Sequence, residues 1–101
     1  MNNRSAKTNV VFKLVAPKAE EVVLNGSFIN WRTEGLPMVQ DSKGVWNTEV
    51  WLKPGHYEYK YVIDGQWVLD PDNPDKKHNG LGSQNSVIVV KAQVYKLQTG
   101  I

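Results

Sequence analysis

The sequence contains no cysteine, and this absence removes three kinds of site at once. A disulfide framework, a thiolate zinc site and a thiol nucleophile all need cysteine sulfur. Net charge is also small, because 12 lysine and arginine residues against 10 aspartate and glutamate residues leave a formal charge of +2. A field this mild does not favour nucleic acid or an anionic membrane. We therefore expect no nucleic-acid partner and no membrane partner.

Long apolar runs are missing as well. No stretch approaches the roughly 18 apolar residues of a membrane-spanning helix. Residues 1–8 are largely polar and lack the apolar segment of a signal peptide, so we expect a cytoplasmic protein. A length of 101 residues suits one domain. We predict a polar arm over residues 1–8, a folded domain over residues 9–91 and a tail over residues 92–101.

The chain instead contains short apolar blocks of strand length. They are rich in valine, isoleucine, tryptophan and tyrosine, and turn-forming residues separate them. Six or seven such strands favour an all-β, immunoglobulin-like antiparallel β-sandwich, although the count alone also fits a small barrel. The blocks are Val10–Ala16, Val22–Leu24, Val45–Leu52, Tyr57–Ile63, Trp67–Leu69 and Val87–Val90.

One hairpin can be predicted in detail from the Asp-Gly pair at 64–65, which is typical of a two-residue turn of the primed type. In that register Val62 opposes Trp67 and Lys60 opposes Leu69, so these four side chains share one face. Pairing leaves two places for Trp67. If the tyrosines that alternate along 57–61 form the core face, Trp67 stands in solvent beside Lys60; otherwise it lies in the core with Val62.

Four tryptophans are many for a domain of this size, and they need not all lie in the core. Alternation along 45–52 predicts a buried Trp46 and a partly exposed Trp51. Trp31 follows a loop-like run with turn formers at both ends and has less reason to be buried. Exposed aromatic rings usually have a ligand, because exposed apolar area is otherwise a liability. A pyranose, a nucleobase or a peptide proline would suit such rings.

Residues 70–80 carry three carboxylates within six residues, which raises a metal hypothesis. Counting from Asp70, an EF-hand loop needs glycine at its sixth position and glutamate at its twelfth, where Asp75 and Leu81 stand. We interpret the segment as a connection between strands and predict no metal site. Neither histidine has a serine or cysteine partner arrangement, and no carboxylate pair can be singled out by spacing. We predict no catalytic residue, no cofactor and no enzyme activity.

An ordered series of motifs along residues 11–91 is specific enough to point to a family. The series includes Phe12-Lys13-Leu14-Val15-Ala16-Pro17, Val23-Leu24-Asn25-Gly26-Ser27-Phe28, Leu52-Lys53-Pro54-Gly55, the stretch Tyr57–Trp67, Asp70-Pro71-Asp72-Asn73-Pro74 and Gly82-Ser83-Gln84-Asn85-Ser86-Val87. It resembles the family 48 carbohydrate-binding modules, which include the glycogen-binding domain of the AMP-activated protein kinase β subunit and the N-terminal modules of branching and debranching enzymes. The resemblance implies an early-set immunoglobulin-like β-sandwich.

The resemblance also implies a set of binding residues. In the kinase-associated members, two exposed tryptophans stack on α-1,4-linked glucose and a lysine hydrogen-bonds sugar hydroxyls. An apolar loop residue enters the curve of the glucan, and a loop hydroxyl and amide complete the site. These roles match, in that order, Trp31 and Trp67, then Lys60, then Leu81, then Ser83 and Asn85.

The match favours an outward-facing Lys60 and Trp67 in the hairpin. Two positions depart from the family pattern, since Ile29 stands where asparagine usually follows the phenylalanine and Ser83 replaces the commoner threonine. The first departure bears on the turn that presents Trp31.

Three functions are compatible with these residues. The leading hypothesis is a non-catalytic module that binds glycogen, starch or malto-oligosaccharides, with an amylolytic enzyme or a kinase complex as its protein partner. The alternative is a protein-interaction or regulatory domain of the same fold with weak or lost sugar binding, since fold is inherited more reliably than function. A third reading is a binder of single-stranded nucleic acid, because platforms of aromatic residues and lysines look alike in sequence.

Overall fold

The structure, a computed structural model, describes residues 6–92, in which nine β-strands and one 3-10 turn, Ser27–Ile29, form the regular elements. No helix in this range is long and apolar enough to cross a membrane. Residues 1–5 of the predicted arm and residues 93–101 of the predicted tail lie outside the described residues. The strands are β1 (Thr8–Val15), β2 (Val22–Gly26), β3 (Leu36–Pro37), β4 (Val39–Gln40), β5 (Val45–Leu52), β6 (Gly55–Ile63), β7 (Gln66–Val68), β8 (Lys76–His78) and β9 (Gln84–Val90).

The strands form two antiparallel sheets. The smaller has the order β1-β5-β4, and the larger has the order β3-β2-β6-β9-β8, with β7 also paired to β6. The predicted all-β antiparallel sandwich is therefore confirmed. Its apolar core takes side chains from both sheets: Phe12, Leu14, Val22, Leu24, Met38, Trp46, Tyr59 and Tyr61.

Alternation along the strands decides which side chains enter the core. Tyr59 and Tyr61 are buried on β6, as predicted for the alternating tyrosines. Trp46 is buried on β5, whereas Trp51 on the same strand is 59% exposed, which confirms both predictions. Odd and even positions of a strand point to opposite faces, so one apolar run supplies both a core residue and an exposed one.

The hairpin register is largely as predicted. Asp64 and Gly65 both have positive φ angles, 48° and 85°, as a turn of the primed type requires. Val62 pairs with Trp67, but the ladder ends at Val68, so the predicted pair of Lys60 with Leu69 is not formed. The chain leaves the sheet at this point to form the loop that begins at Asp70.

Three strands were not predicted from the sequence: β3, β4 and β8, of two or three residues each. Segments this short do not span enough residues for alternation to be recognised. One of them, β8, lies within the segment interpreted as a connection and consists of Lys-Lys-His, which carries no apolar signal. The segment interpreted as a connection between strands therefore contains a short strand of its own, which the sequence did not predict.

A change of partner along one edge of β6 prepares the functional surface. Residues 55–59 of β6 pair with β9, and residues 61–63 pair with β7. β2 occupies the opposite edge, pairing with residues 59–63. Lys60 therefore lies where β7 and β9 diverge, with a break in the sheet beside it.

Candidate functional site

A groove of about 720 Å³ lies beside this break on the outer face of the larger sheet; we call it the platform groove. All six residues that the sequence singled out for binding line it, and two further residues, Glu58 and Asn79, join them. The structure thus brings together side chains from β6, β7, β9 and two loops. The lining residues are Trp31, Glu58, Lys60, Trp67, Asn79, Leu81, Ser83 and Asn85.

Two tryptophan rings form the apolar part of the platform groove. The centroids of Trp31 and Trp67 are 6.2 Å apart, and the ring planes are inclined by 47°. Trp67 is 54% exposed, so of the two places that pairing allowed it takes the outward one. Two rings inclined in this way cannot both lie flat against a straight planar ligand. The pair therefore suits a ligand that curves.

A buried asparagine holds the loop that presents Trp31, here called the Trp31 loop (residues 26–35). Asn25 is 2% exposed; its Nδ2 donates to the carbonyl of Arg32 at 2.8 Å, and its Oδ1 accepts from the backbone N–H of Gly26 at 2.9 Å. The Trp31 N–H donates to the carbonyl of Gly26 at 3.0 Å. The loop is therefore closed by hydrogen bonds at both ends, with Ile29 in its 3-10 turn.

The backbone of Trp31 has an unusual conformation. Its φ angle is +54°, as is that of Asn30. Left-handed backbone is uncommon for residues other than glycine and costs of order 1–3 kcal/mol, so it persists only where the surroundings enforce it. Despite the departure at Ile29, the loop brings the Trp31 ring beside Trp67.

A second asparagine organises the loop between β8 and β9, here called the Leu81 loop (residues 79–83). The Asn79 Nδ2 donates to the Ser83 Oγ at 2.6 Å, and its Oδ1 accepts from the Leu81 N–H at 2.8 Å. Glycines on either side of the tip, Gly80 and Gly82, have φ angles of +79° and +87°. Leu81 stands at this tip 88% exposed, an arrangement that leaves its whole side chain free for contact.

Polar side chains complete the floor of the platform groove. The Lys60 Nζ donates to the Ser83 Oγ at 3.3 Å. The buried Asn85 donates from Nδ2 to the Glu58 Oε1 at 3.0 Å, and the Glu58 N–H donates to the Ser27 Oγ at 3.0 Å. An ammonium, a hydroxyl, an amide and a carboxylate therefore meet in one groove. Such a set can both donate to and accept from a ligand rich in hydroxyl groups.

Sequence reasoning missed Glu58 and Asn79. Glu58 lies two residues before Lys60 on β6, so alternation alone places both on one face. Asn79 precedes Gly80 in an Asn-Gly pair, which is a turn signal. Both signals were present in the sequence, but the family resemblance assigned a binding role to neither residue.

The acidic segment after β7 has a structural role. The Asp70 Oδ2 accepts from the Tyr59 hydroxyl at 2.6 Å. The Tyr61 hydroxyl lies 3.5 Å from the same oxygen and donates to the nearer Lys13 carbonyl at 3.1 Å. The Asp70 N–H donates to the Ser86 Oγ at 2.9 Å, which ties the loop to β9. Burial, and next the Asp70 carboxylate, raise the pKa of both Tyr59 and Tyr61, so their hydroxyls stay protonated as donors. Among residues 6–92 no group of three or more potential ligands could hold a metal ion.

Comparison with known proteins supports the resemblance. A family model described as the glycogen recognition site of AMP-activated protein kinase matches residues 8–96. The chain belongs to this family. The match covers all nine strands and every residue lining the platform groove.

Relatives of this domain occur in plants and animals. Protein PTST homolog 2, chloroplastic, of Arabidopsis thaliana is 38% identical over 71% of this chain and 13% of its own length. Protein FLOURY ENDOSPERM 6, chloroplastic, of Oryza sativa subsp. japonica is 33% identical over 84% of this chain and 16% of its own. Human 5'-AMP-activated protein kinase subunit beta-2 is 36% identical over 77% of this chain and 28% of its own. The chain therefore matches only a minor part of each relative.

A solved structure shares the fold. Maltogenic amylase from S. marinus contains a region that aligns with 87% of this chain, with a TM-score of 0.69 and 25% identity. The aligned region is 14% of the amylase chain. The domain thus resembles a small part of a longer enzyme chain.

Proposed function

We propose that this domain binds α-1,4-linked glucan, the class that includes glycogen, starch and malto-oligosaccharides, and that the platform groove is the binding site. The observation that carries the proposal is the inclined pair of Trp31 and Trp67. Chains of α-1,4-linked glucose curve, whereas β-1,4-linked chains form flat ribbons. Rings inclined by 47° follow a curved chain and cannot both stack on a flat one.

The chemistry of a pyranose fits the lining of the platform groove. Its axial C–H groups form an apolar face that packs on an aromatic ring, while its equatorial hydroxyls point sideways. Lys60 and Asn85 offer donors for those hydroxyls, and Glu58 offers an acceptor. Stacking therefore supplies most of the buried area, and the hydrogen bonds supply selectivity.

Leu81 adds a wedge to the platform. Its exposed side chain faces the same groove as the tryptophans, where it would enter the inner curve of the glucan. The site is small and open, so ordering costs offset much of the apolar gain, and we expect dissociation constants of roughly micromolar to millimolar. Binding along a repeating polymer raises the effective affinity.

We further propose that the domain acts without catalysis. Glycoside hydrolysis generally needs two carboxylates on opposite sides of the scissile bond. Of the described residues that line the platform groove, Glu58 alone is a carboxylate, and it accepts a hydrogen bond from Asn85. The groove therefore lacks the second carboxylate of an acid–base pair.

We propose an amylolytic enzyme or a kinase complex as the protein partner of the domain. The cytoplasmic location remains a prediction from the sequence.

Co-sedimentation with insoluble polysaccharides tests the proposal. We expect the wild-type domain to be retained on starch and to stay in solution with cellulose. Trp67→Ala should abolish retention, whereas Trp51→Ala should not, because Trp51 is exposed on the smaller sheet, outside the groove. Loss of retention by both variants, or equal retention on cellulose, would overturn the proposal. A folded wild type that binds neither polymer would instead favour the protein-interaction alternative.

Salt dependence separates glucan binding from nucleic-acid binding. A glucan is uncharged, so Lys60 acts on it as a hydrogen-bond donor and no counterions are released. Maltoheptaose affinity should therefore change little between about 50 and 200 mM salt, whereas a strand held through about four phosphates would show a log–log slope of roughly −2.8. Steeply salt-dependent binding of an oligonucleotide, with no binding of maltoheptaose, would favour the nucleic-acid reading.

A further inference from the structure

Two hydrogen-bonded pairs of an asparagine and a glutamate lie on the two sheets, in different surroundings. On the smaller sheet, the Asn9 Nδ2 donates to the Glu49 Oε2 at 3.2 Å in an exposed contact. In the platform groove, the buried Asn85 donates from Nδ2 to the Glu58 Oε1 at 3.0 Å. A hydrogen bond that water cannot easily replace holds its groups more firmly. The Glu58–Asn85 pair is therefore the one that fixes its side chains in place.

The strand register brings Glu58 to Asn85. Glu58 pairs with Val87 across β6 and β9, so Asn85, two residues earlier on the same face of β9, is its diagonal neighbour. The Glu58 N–H donates to the Ser27 Oγ at 3.0 Å, which ties this point of β6 to the Trp31 loop. The carboxylate therefore reaches Asn85 from a backbone that is itself held in place.

The carboxylate of Glu58 determines which way the Asn85 amide points. An ionised carboxylate accepts hydrogen bonds and has no hydrogen to donate, so the amide turns its Nδ2 toward Glu58 and its Oδ1 away from it. Within residues 6–92 the buried side-chain atoms without a partner are limited to the Thr8 Oγ1. No described group donates to the Asn85 Oδ1, so this oxygen is open to the groove that Asn85 lines.

The direction of the amide decides whether a sugar hydroxyl can be fully hydrogen-bonded. The register of β6 and β9, continued by one pair, places Lys60 opposite Asn85. The Lys60 ammonium can only donate and the Asn85 Oδ1 can only accept, so a hydroxyl between them accepts from one and donates to the other. With the amide reversed, the hydroxyl would meet two donors and its own hydrogen would lose its partner. An unpaired polar hydrogen in a contact that excludes water costs binding energy.

We propose that Glu58 is a positioning residue of the platform groove, which fixes the Asn85 amide so that its Oδ1 accepts a hydroxyl of the glucan. The inference rests on the proposed function, because it assumes a glucan in the groove. Glu58 acts here through Asn85 and needs no contact of its own with the sugar. Glutamine at position 58 could present either an oxygen or an NH₂ group to Asn85, so the amide would no longer have one direction.

Exchanging the two functional groups tests the inference. Asn85→Asp places two carboxylates face to face, whereas Glu58→Gln/Asn85→Asp restores one donor and one acceptor with the direction of the hydrogen bond reversed. The double variant still presents an accepting oxygen to the groove. Calorimetric titration with maltoheptaose compares both with the wild type and with Glu58→Gln, at a temperature where thermal unfolding shows every variant to be folded.

The expected affinities at pH 7 follow from the pairing of the groups. Asn85→Asp should bind maltoheptaose at least about tenfold more weakly than the wild type, because the facing carboxylates repel. Glu58→Gln should bind about threefold more weakly, because the amide direction is lost while a hydrogen bond remains possible. Glu58→Gln/Asn85→Asp should return to within about threefold of the wild type.

The pH dependence gives a readout that a merely structural role of Glu58 would not move. In Asn85→Asp, acid adds a proton to one of the facing carboxylates and restores a donor, so affinity should rise at least about threefold between about pH 7 and 5.5. The wild type and the double variant should change by less than about twofold. The other charged groups around the pair are the same in all variants and cancel: Lys60 on β6, Lys77 opposite Asn85 on β8, and Arg32 and Glu34 on the Trp31 loop.

The exposed pair on the smaller sheet supplies the matched control. Asn9→Asp, alone and with Glu49→Gln, makes the same chemical changes outside the platform groove. Maltoheptaose affinity should stay within about twofold of the wild type at both pH values. If Asn85→Asp binds as tightly as the wild type at pH 7, or if adding Glu58→Gln restores nothing, Glu58 does not position Asn85. If the wild type binds no maltoheptaose, the proposed function fails and the inference fails with it.

Hydrogen exchange of the Asn85 side chain tests the same contact without a ligand. In the free domain, the Nδ2 hydrogens should exchange with water at least about threefold faster in Glu58→Ala than in the wild type, because the carboxylate no longer holds them. The Asn9 Nδ2 hydrogens serve as the internal reference and should exchange equally in both proteins. Equal exchange at Asn85 would overturn the inference even where maltoheptaose binds, and would leave the proposed function standing.

Discussion

The two loops that frame the platform groove are built by the same device in different surroundings. Each loop is held by an asparagine side chain that hydrogen-bonds its backbone. Asn25 does so while 2% exposed, beneath the Trp31 loop, whereas Asn79 does so at the surface of the Leu81 loop. A hydrogen bond contributes more to stability when its loss would leave a buried polar group without a partner than when water can take the partner's place.

This difference in burial indicates that the Trp31 loop contributes to the stability of the fold and the Leu81 loop does not. The Trp31 loop packs on the larger sheet, since its Gly26 is the last residue of β2 and the adjacent Phe28 contacts the core. The Leu81 loop meets solvent on most sides, and its leucine contacts little of the domain. Changes to the buried residues that anchor the first loop, Asn25 and Gly26, should therefore cost stability, whereas changes in the second loop should cost affinity alone.

The largest effect is expected from Gly26→Ala. A Cβ at this position would lie 2.6 Å from the Phe28 ring and 2.7 Å from the Glu58 carbonyl oxygen, and that backbone cannot move without disturbing β6. We expect the free energy of unfolding in urea to fall by about 3 kcal/mol. Gly82→Ala is the control in the Leu81 loop, where a Cβ meets nothing within 4 Å and only the positive φ is strained. The comparison fails if Gly82→Ala costs as much as Gly26→Ala.

Asn25→Ala should have the next largest effect. It removes the partner of the Gly26 N–H and of the Arg32 carbonyl, and we expect a loss of about 2 kcal/mol in the free energy of unfolding. Maltoheptaose affinity should fall as well, because the Trp31 loop loses its anchor. Chemical unfolding and calorimetry measure the two effects. Unchanged stability would show that the buried asparagine does not hold the loop.

Asn79→Ala should lower the affinity for glucan without lowering the stability of the domain. Its hydrogen bonds are exposed, so we expect the free energy of unfolding to change by less than about 0.5 kcal/mol. Maltoheptaose should nevertheless bind about 1 kcal/mol more weakly, since Leu81 and Ser83 are no longer held in place. A loss of stability equal to that of Asn25→Ala would abolish the distinction between the loops.

The smallest effect is expected from Arg32→Ala. The Arg32 Nε lies 3.4 Å from the Glu34 Oε1, but both side chains are mostly exposed, and such pairs contribute little. The carbonyl that accepts from Asn25 remains in the variant. Stability and affinity should both stay within about 0.5 kcal/mol of the wild type. A larger loss of stability would mean that the ion pair helps to hold the Trp31 loop.

The sequence predicted the parts of the fold that short-range chemistry controls. The Asp-Gly pair at 64–65 set the register of β6 and β7, and alternation placed Trp46 in the core. Strands of two or three residues were not predicted because they are too short to show the alternation of apolar and polar residues. Alternation also left the place of Trp67 open, and only the family resemblance favoured the outward one before the structure.

The assembly of the site was harder to predict. Trp31 and Trp67 lie far apart in the chain, and their contact depends on the path of the Trp31 loop across the sheet. The partner change beside Lys60 is likewise a property of the whole sheet, because it requires β7 and β9 to meet the same edge of β6. No local pattern contains that information.

Calorimetric titration with maltoheptaose tests the central claim most directly, that Trp31 and Trp67 together hold the glucan. The account predicts that Trp31→Ala and Trp67→Ala each weaken binding by at least about 1 kcal/mol while the temperature of unfolding stays near that of the wild type. If either variant binds maltoheptaose as tightly as the wild type, the inclined pair is not the platform and the account is wrong.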